Sequence, residues 1–263
     1  MKFKQNHIVS ILNQKGGVGK TTTCINLATG LSMKNYKVLC VDLDPQANLT
    51  TSCGLDPDDD ITMMTLLSGG IPQEVIKKRE KFDIIPASIA LSEFDVNYSS
   101  KMRRENLIKK QLEPLESKYD IILMDCSPSL GLITVNSLVA SSSLLIPQQT
   151  EFLSMRGMEL IFHTVNMIRD NNLNKNLKIL GILQTMYDQR KRLHKEVKDT
   201  ILSEFRELVF KTTIRSNADL ATAPSHYKSI FEYSENSNGA KDYTAFIKEF
   251  IKRLRQEEQL NES

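Results

Sequence analysis

The chain has 263 residues, 40% hydrophobic and 25% charged, with a formal net charge of +2 at neutral pH. That composition belongs to a globular protein with a sizeable core, and the small charge excludes overall polycationic binding to nucleic acid; any DNA contact needs a local patch. No apolar run is long enough to span a bilayer and the opening Met-Lys-Phe-Lys-Gln-Asn-His lacks a signal-peptide core, so a cytoplasmic protein is expected.

The first predicted element is an apolar strand over Ile8 to Leu12. It runs into Gln14-Lys15-Gly16-Gly17-Val18-Gly19-Lys20-Thr21-Thr22, after which Cys24, Ile25, Leu27, Ala28 and Leu31 recur at helical spacing as far as Met33. Strand, glycine cluster and Gly-Lys-Thr opening a helix is the pattern of a phosphate loop. Gly16, Gly17, Val18 and Gly19 let several backbone N–H groups face phosphate, Lys20 meets the β- and γ-phosphates, and the Thr21 hydroxyl meets Mg²⁺, with Thr22 following. The usual pattern has glycine at the position of Gln14, and an additional lysine, Lys15, precedes the glycine pair.

Val38 to Val41 reads as a wholly apolar strand ending in Asp42-Leu43-Asp44-Pro45-Gln46. Residues 47 to 60 read as a polar loop whose acidic run lacks the spacing of a calcium site. Phe82 to Pro86 is predicted as a strand, Arg104 to Leu115 as a surface helix, and Tyr119 to Asp125 as a buried strand that again ends in a carboxylate. Ser143 to Pro147 follows as a strand. Glu151 to Arg169 follows as an amphipathic helix with Leu153, Leu160, Ile161, Val165 and Ile168 on one side. Leu177 to Leu183 is a further strand; Leu193, Val197, Ile201 and Phe205 mark another helix, and a tail helix from about 240 to 256 buries Phe246, Ile247, Phe250, Ile251 and Leu254. The alternation predicts an α/β fold: one doubly wound, mostly parallel sheet with helices on both faces, over a single domain from 1 to 263. The cysteines Cys24, Cys40, Cys53 and Cys126 contain no Cys-x-x-Cys pair and read as small buried thiols.

Strand ends carry the chemistry in such sheets. Asp125 follows four apolar residues, as a Walker B aspartate does, and suits a role at Mg²⁺. Asp42 and Asp44, two residues apart on an extended chain, point the same way toward the metal or the γ-phosphate.

The stretch Lys15 to Thr22, then Asp42-Leu43-Asp44-Pro45-Gln46-Ala47-Asn48, then Asp125-Cys126-Ser127-Pro128-Ser129-Leu130-Gly131 resembles the ParA/Soj partition ATPases, of the deviant Walker A group that includes MinD and the nitrogenase iron protein. Ala223-Pro224-Ser225-His226 and Gly239-Ala240 extend the resemblance along the chain. It implies a P-loop NTPase fold and a weak Mg²⁺-dependent ATPase. It also implies that Lys15 reaches the phosphates of a second subunit in an ATP sandwich dimer, that Lys20 and Thr21 bind phosphate and Mg²⁺, that Asp44 orients the attacking water, and that Asp42 and Asp125 lie near the metal. Two positions depart from the family pattern: Ser127 replaces a proline, and Asp219 stands where the family carries an arginine implicated in DNA binding. Arg215 is the nearby charge that would compensate.

Gln189-Arg190-Lys191-Arg192-Leu193-His194-Lys195-Glu196-Val197-Lys198 is the densest basic cluster. Lys191, Lys195 and Lys198 share a helical face opposite Leu193, Val197 and Ile201, and Arg190 matches a family arginine, so Arg190, Lys191, Arg192, Lys195 and Lys198 are the expected DNA-contacting residues. The expected function is DNA partition: an ATP-bound homodimer holds double-stranded DNA non-specifically, remains nucleoid-associated, and is released when a ParB-like partner stimulates hydrolysis. The chain starts almost at the phosphate loop, so no N-terminal helix-turn-helix domain is expected. The alternative is a MinD-like membrane-associated positioning ATPase, which needs a terminal basic amphipathic anchor; the tail helix runs instead into Gln256-Glu257-Glu258-Gln259. A bridging iron–sulfur cluster would need two cysteines near the nucleotide site, and only Cys126 lies there.

Overall fold

The computed structural model describes residues 3–151 and 154–261. The strands are β1 (His7–Ile11), β2 (Val38–Leu43), β3 (Lys77–Lys78), β4 (Asp83–Ile85), β5 (Ile121–Cys126), β6 (Ser143–Gln149), β7 (Lys178–Tyr187) and β8 (Val209–Arg215). The helices are α1 (Lys20–Ser32), α2 (Asn48–Ser52), α3 (Met63–Leu67), α4 (Pro72–Val75), α5 (Phe94–Tyr98), α6 (Leu107–Leu112), α7 (Leu132–Ala140), α8 (Ser154–Asp170), α9 (Arg192–Phe205), α10 (Ala218–Thr222), α11 (Ile230–Tyr233) and α12 (Asn238–Asn261). The strands form one sheet in the order β3-β4-β2-β5-β1-β6-β7-β8, parallel throughout except for the antiparallel β3–β4 pair. This is the doubly wound α/β fold expected from the alternation.

Because β1, β2 and β5 are covered on both faces, their side chains alternate between two cores. Val9, Ile11, Val38, Cys40, Ile121 and Leu123 face α1, α11 and α12; Ile8, Leu39, Val41, Leu43, Ile122, Met124 and Cys126 face the side of α3, α6, α7, α8 and α9. The same alternation puts Asp42 and Asp125, which are register partners, on the α1 face at the carboxyl end of the sheet. Tyr243, Phe246 and Phe250 of α12 are fully buried against α1 and β8, each such side chain contributing about 1.5–3 kcal/mol.

Several expectations change. The segment after Gln46 is not wholly loop: a left-handed Ala47 (φ 50°) turns the chain into α2, whose Leu49 and Thr50 are fully buried. The expected surface helix from Arg104 is α6 flanked by two 3₁₀ turns, with Ile108, Leu112 and Leu115 buried. In α8 the buried stripe is Met158, Ile161, Val165 and Ile168, and Leu160, one helical step off that stripe, is exposed; Leu153 lies outside the described residues. In α9 the spacing runs through His194, Val197 and Ile201, so Leu193 points to solvent. β8 was not expected, because Lys211, Thr212 and Thr213 interrupt its apolar pattern. It is an edge strand whose N–H groups at Lys211 and Thr212 donate to Glu249, and at Arg215 to Asp242, both carboxylates carried by α12. All four cysteines are buried and free.

Candidate active site

The loop between β1 and α1 opens at the carboxyl edge of the sheet, where the chain after β1 turns toward β2 on one side and β6 lies on the other. Gly17 (φ 74°) and Gly19 (φ 89°) have backbone conformations that side chains rarely adopt, and a Cβ at Gly16 or Gly17 would meet nothing within 4 Å. The loop is therefore an open cradle. It is held in shape from outside: Asn13 Oδ1 accepts from the Lys15 N–H (2.9 Å), while the Asn13 amide donates to the Pro147 carbonyl (2.7 Å) and Gln148 Oε1 (2.9 Å). The Thr185 hydroxyl donates to the Val18 carbonyl (2.8 Å), and the Val18 side chain itself is buried in the core.

The cradle forms one wall of a cavity of about 700 Å³, lined by Gly16, Gly17, Gly19, Lys20, Thr21 and Thr22 on one side and by Asp44, Pro45, Gln46, Ile89, Ser92, Ser127 and Pro128 on the others. Lys20 is buried, its Nζ lying 3.4 Å from the Lys15 carbonyl. The Thr21 hydroxyl donates to Asp125 Oδ2 (2.7 Å), and Asp125 Oδ1 is buried without a hydrogen-bond partner. Burial, with Asp42 adding repulsion, pushes the Asp125 carboxyl well above the ordinary carboxylate range against the opposing pull of Thr21 and Lys20. A buried acceptor with nothing to accept from, next to a threonine hydroxyl, is a donor set suited to a hard divalent cation such as Mg²⁺.

The remaining expected residues are distributed unequally. Asp44 lines the cavity, and its Oδ1 accepts from the Gln46 N–H (3.0 Å). Asp125 does not line it, and neither does Asp42. Asp42 Oδ2 accepts from the Thr50 N–H (2.9 Å) and hydroxyl (2.7 Å), and its Oδ1 from the Asp44 N–H (3.1 Å). Burial raises the Asp42 carboxyl, while those three donors oppose the shift. Asp42 thus differs from Asp125: its oxygens are engaged in bracing the loop that carries Asp44. Lys15 points away from its own cradle and pairs with Glu151, with Gln149 Oε1 at 3.3 Å.

A second, smaller cavity of about 210 Å³ adjoins the cradle at Gly19 and Thr22 and is lined by Met186, Ile214, Leu220 and Tyr243, with polar Asn217 at its edge. Asn13, Thr50, Glu151 and Thr185 are not among the site residues expected from the sequence. An asparagine between a strand and a glycine cluster is a turn signal that points to Asn13; the others are brought together only by the fold.

The profile of the AAA domain family matches residues 6–179. The chain is 40% identical to the sporulation initiation inhibitor protein Soj of Bacillus subtilis, over 92% of this chain and 97% of that one. It is 37% identical to the chromosome partitioning protein ParA of Myxococcus xanthus, over 94% of this chain and 88% of that one. The chain belongs to the ParA/Soj family of partition ATPases. A cobyrinic acid a,c-diamide synthase from Mycobacterium smegmatis, solved with ADP and magnesium, superposes with a TM-score of 0.81 at 31% identity, over 92% of this chain and 93% of that one. The ParA/Soj assignment and the shared P-loop NTPase fold make this an ATPase-type chain of the class that partitions chromosomes or plasmids.

In this ParA/Soj chain the basic cluster lies at the start of α9. Arg190 makes a bidentate pair with Asp188 (2.8 and 2.9 Å), and Arg192 pairs with Glu196 (2.7 Å). Lys191 and Lys195 are exposed, whereas Lys198 lies over the Tyr187 ring (4.9 Å) and donates to the Thr213 hydroxyl (3.3 Å). Lys191, Lys195 and Lys198, which helical spacing puts on one face, are therefore not all free: Lys198 packs inward beside β7 and β8. Arg215 is not a free replacement charge either, since it is clamped bidentately by Asp242 (2.7 and 2.9 Å).

Proposed function

We propose that this chain is an ATP-driven partition switch whose phosphate loop completes the site of a second copy. The observation that carries the reading is Lys15: it is half-exposed and turned away from its own cradle, while Lys20 is buried within it. A lysine that its own site does not use is available to a partner's phosphates, where it would stabilise charge developing in the transition state. Lys20 would hold the β- and γ-phosphates, the N–H groups from Gly16 to Thr22 the surrounding oxygens, and Asp44 would orient the attacking water. Thr21 and Asp125 would hold Mg²⁺, which when bound neutralises charge on the transferring phosphoryl group. Asp42 supports Asp44 from behind. The small apolar cavity at Met186, Ile214 and Leu220 has the character of a base pocket.

The exposed charges at Arg190, Lys191, Arg192 and Lys195 suit salt-sensitive, sequence-independent contact with duplex DNA, because an exposed pair such as Arg192–Glu196 is readily exchanged for phosphate. A ParB-like partner that stimulates hydrolysis would return the dimer to monomers. Burial of the α12 apolar face on the domain favours this reading over a MinD-like one, which needs an amphipathic face free for the membrane.

Sedimentation with ATP, ADP or no nucleotide, with and without random duplex DNA, tests it. Dimers and DNA-bound species formed only with ATP are expected. A monomer under every condition refutes the switch, and ATP-dependent flotation with liposomes in place of DNA binding supports the membrane alternative.

A further inference from the structure

The bracing of Asp44 continues to a residue that touches neither cavity. Thr50 is fully buried in α2. Its N–H and hydroxyl both donate to Asp42 Oδ2 (2.9 and 2.7 Å), and its Oγ1 accepts from the Ala87 N–H (2.9 Å). Since the amide of Ala87 occupies a lone pair of the hydroxyl, the hydroxyl hydrogen is directed at Asp42. Asp42 Oδ1 in turn receives the Asp44 N–H, and the Asp44 carbonyl receives the Ala47 N–H (2.8 Å). The turn that carries Asp44 is therefore tied to Asp42, which receives Asp44 at one oxygen and Thr50 at the other, and is closed by the Ala47 N–H on the Asp44 carbonyl.

Ala87 leads into the neighbouring wall, which follows β4, the strand paired with β2. Two residues further on, Ile89 lines the cavity, followed by Ser92. One hydroxyl thus spans from the wall that presents Asp44 to the wall formed by residues 87–92. The cradle of Gly16 to Thr22 is not part of this connection; it is fixed separately by Asn13 and Thr185.

We infer that Thr50 is a positioning residue for hydrolysis: its hydroxyl sets the placement of Asp44 relative to the residue 87–92 wall, and it does so without contributing to nucleotide affinity. The inference rests on the reading of Asp44 as the residue that orients water. A carboxylate displaced by a fraction of an ångström still leaves ATP held by the phosphate loop, so the effect appears in turnover and not in binding.

The test compares Thr50→Val, which keeps volume and removes the hydroxyl, with Thr50→Ser, which keeps both hydrogen-bonding functions. Steady-state ATPase is measured on the full chain, alongside Asp44→Ala. Thr50→Val is expected to lower kcat between about tenfold and a hundredfold with KM for ATP within about twofold of wild type, and Thr50→Ser to restore kcat. If Thr50→Val does not fold, Thr50→Cys, whose thiol is a weak donor and acceptor, is judged by the same criteria. Unchanged kcat in the hydroxyl-deleted variant, or a loss that falls on KM or is not restored by serine, overturns the inference. Failure of the underlying reading looks different: Asp44→Ala would then turn over at the wild-type rate, whereas an inactive Asp44→Ala beside a fully active Thr50→Val sinks only the role of Thr50.

Discussion

Lys15 and Glu151 form an ion pair beside the phosphate loop, so the lysine that distinguishes this loop is held within its own chain by a carboxylate just past the end of β6. Both side chains are more than a third exposed, and such pairs are worth about 0–1 kcal/mol, little enough for a triphosphate on a second copy to compete. Glu151→Gln is therefore expected to lower the ATP concentration at half-maximal dimer formation by up to about fivefold. Lys15→Ala is expected to bind ATP normally while losing the productive dimer. Sedimentation across an ATP titration measures both, and a normal dimer with normal turnover in Lys15→Ala removes the role in trans.

Asp125 is costly to the fold without a cation. Its carboxyl is buried beside Asp42, with one oxygen unpartnered. Asp125→Asn keeps an acceptor for the Thr21 hydroxyl and removes the charge, so the nucleotide-free protein should gain about 1–2 kcal/mol. The same substitution should abolish the added stabilisation that Mg²⁺ gives over ATP alone. Thermal melts with and without each component read both effects; a lower melting temperature in the nucleotide-free variant contradicts the charge-burial account.

Gly181 sits at the register shift between β6 and β7, where Ile179 pairs with Leu144 and Gly181 with Leu145. A Cβ there would lie 2.6 Å from the Leu208 carbonyl, a backbone atom that cannot rotate away. The same spot is sealed by Arg253, which donates to the carbonyls of Leu180 (2.9 Å), Leu208 (3.0 Å) and Val209 (2.7 Å) and lies 3.9 Å from the Phe210 ring. Gly181→Ala should cost about 1–3 kcal/mol in denaturant unfolding, with ATP affinity per folded molecule retained. A wild-type midpoint would show that the strand shifts freely.

His7 supplies a pH dependence. Its Nε2 lies 3.1 Å from Glu258 Oε1, its Nδ1 is buried without a partner, and Phe3 packs edge-on at 4.8 Å. Burial holds its pKa below the ordinary 6.5, outweighing the upward pull of Glu258. The unfolded chain therefore takes up this proton first as pH falls. The stability linked to His7 is complete above pH 6.5 and is lost progressively below it, down through the folded pKa. His7→Gln, which cannot protonate, should lose less stability than wild type between neutrality and pH 5; parallel curves would remove His7 as the cause.

Legibility followed how local each signal was. The cradle from Gly16 to Thr22 and the strand-end carboxylates could be read directly, because a phosphate loop writes its backbone requirement into consecutive residues and a buried parallel strand is apolar to its end. The division of labour between Asp42 and Asp125 could not. Both follow apolar runs, and only the approach of Thr50, carried by a helix that begins at a left-handed alanine, separates a braced carboxylate from one left open. In α9 a four-residue apolar spacing suggested Leu193, but His194 occupies the core because its Nδ1 is satisfied by Thr150 (3.1 Å) and the Asp188 N–H (3.0 Å). Edge strand β8 escaped notice because solvent takes one side of it.

That edge strand bears on how copies of this chain can meet. A free strand edge is a template on which another sheet can grow, but here the amides of Lys211, Thr212 and Arg215 are occupied by carboxylates from α12, and at the other margin β3 is only two lysines long. Neither margin offers a ladder to a neighbour. Lateral stacking into ribbons is thereby disfavoured, which leaves face-to-face docking at the phosphate-loop end, the arrangement that the proposed switch requires.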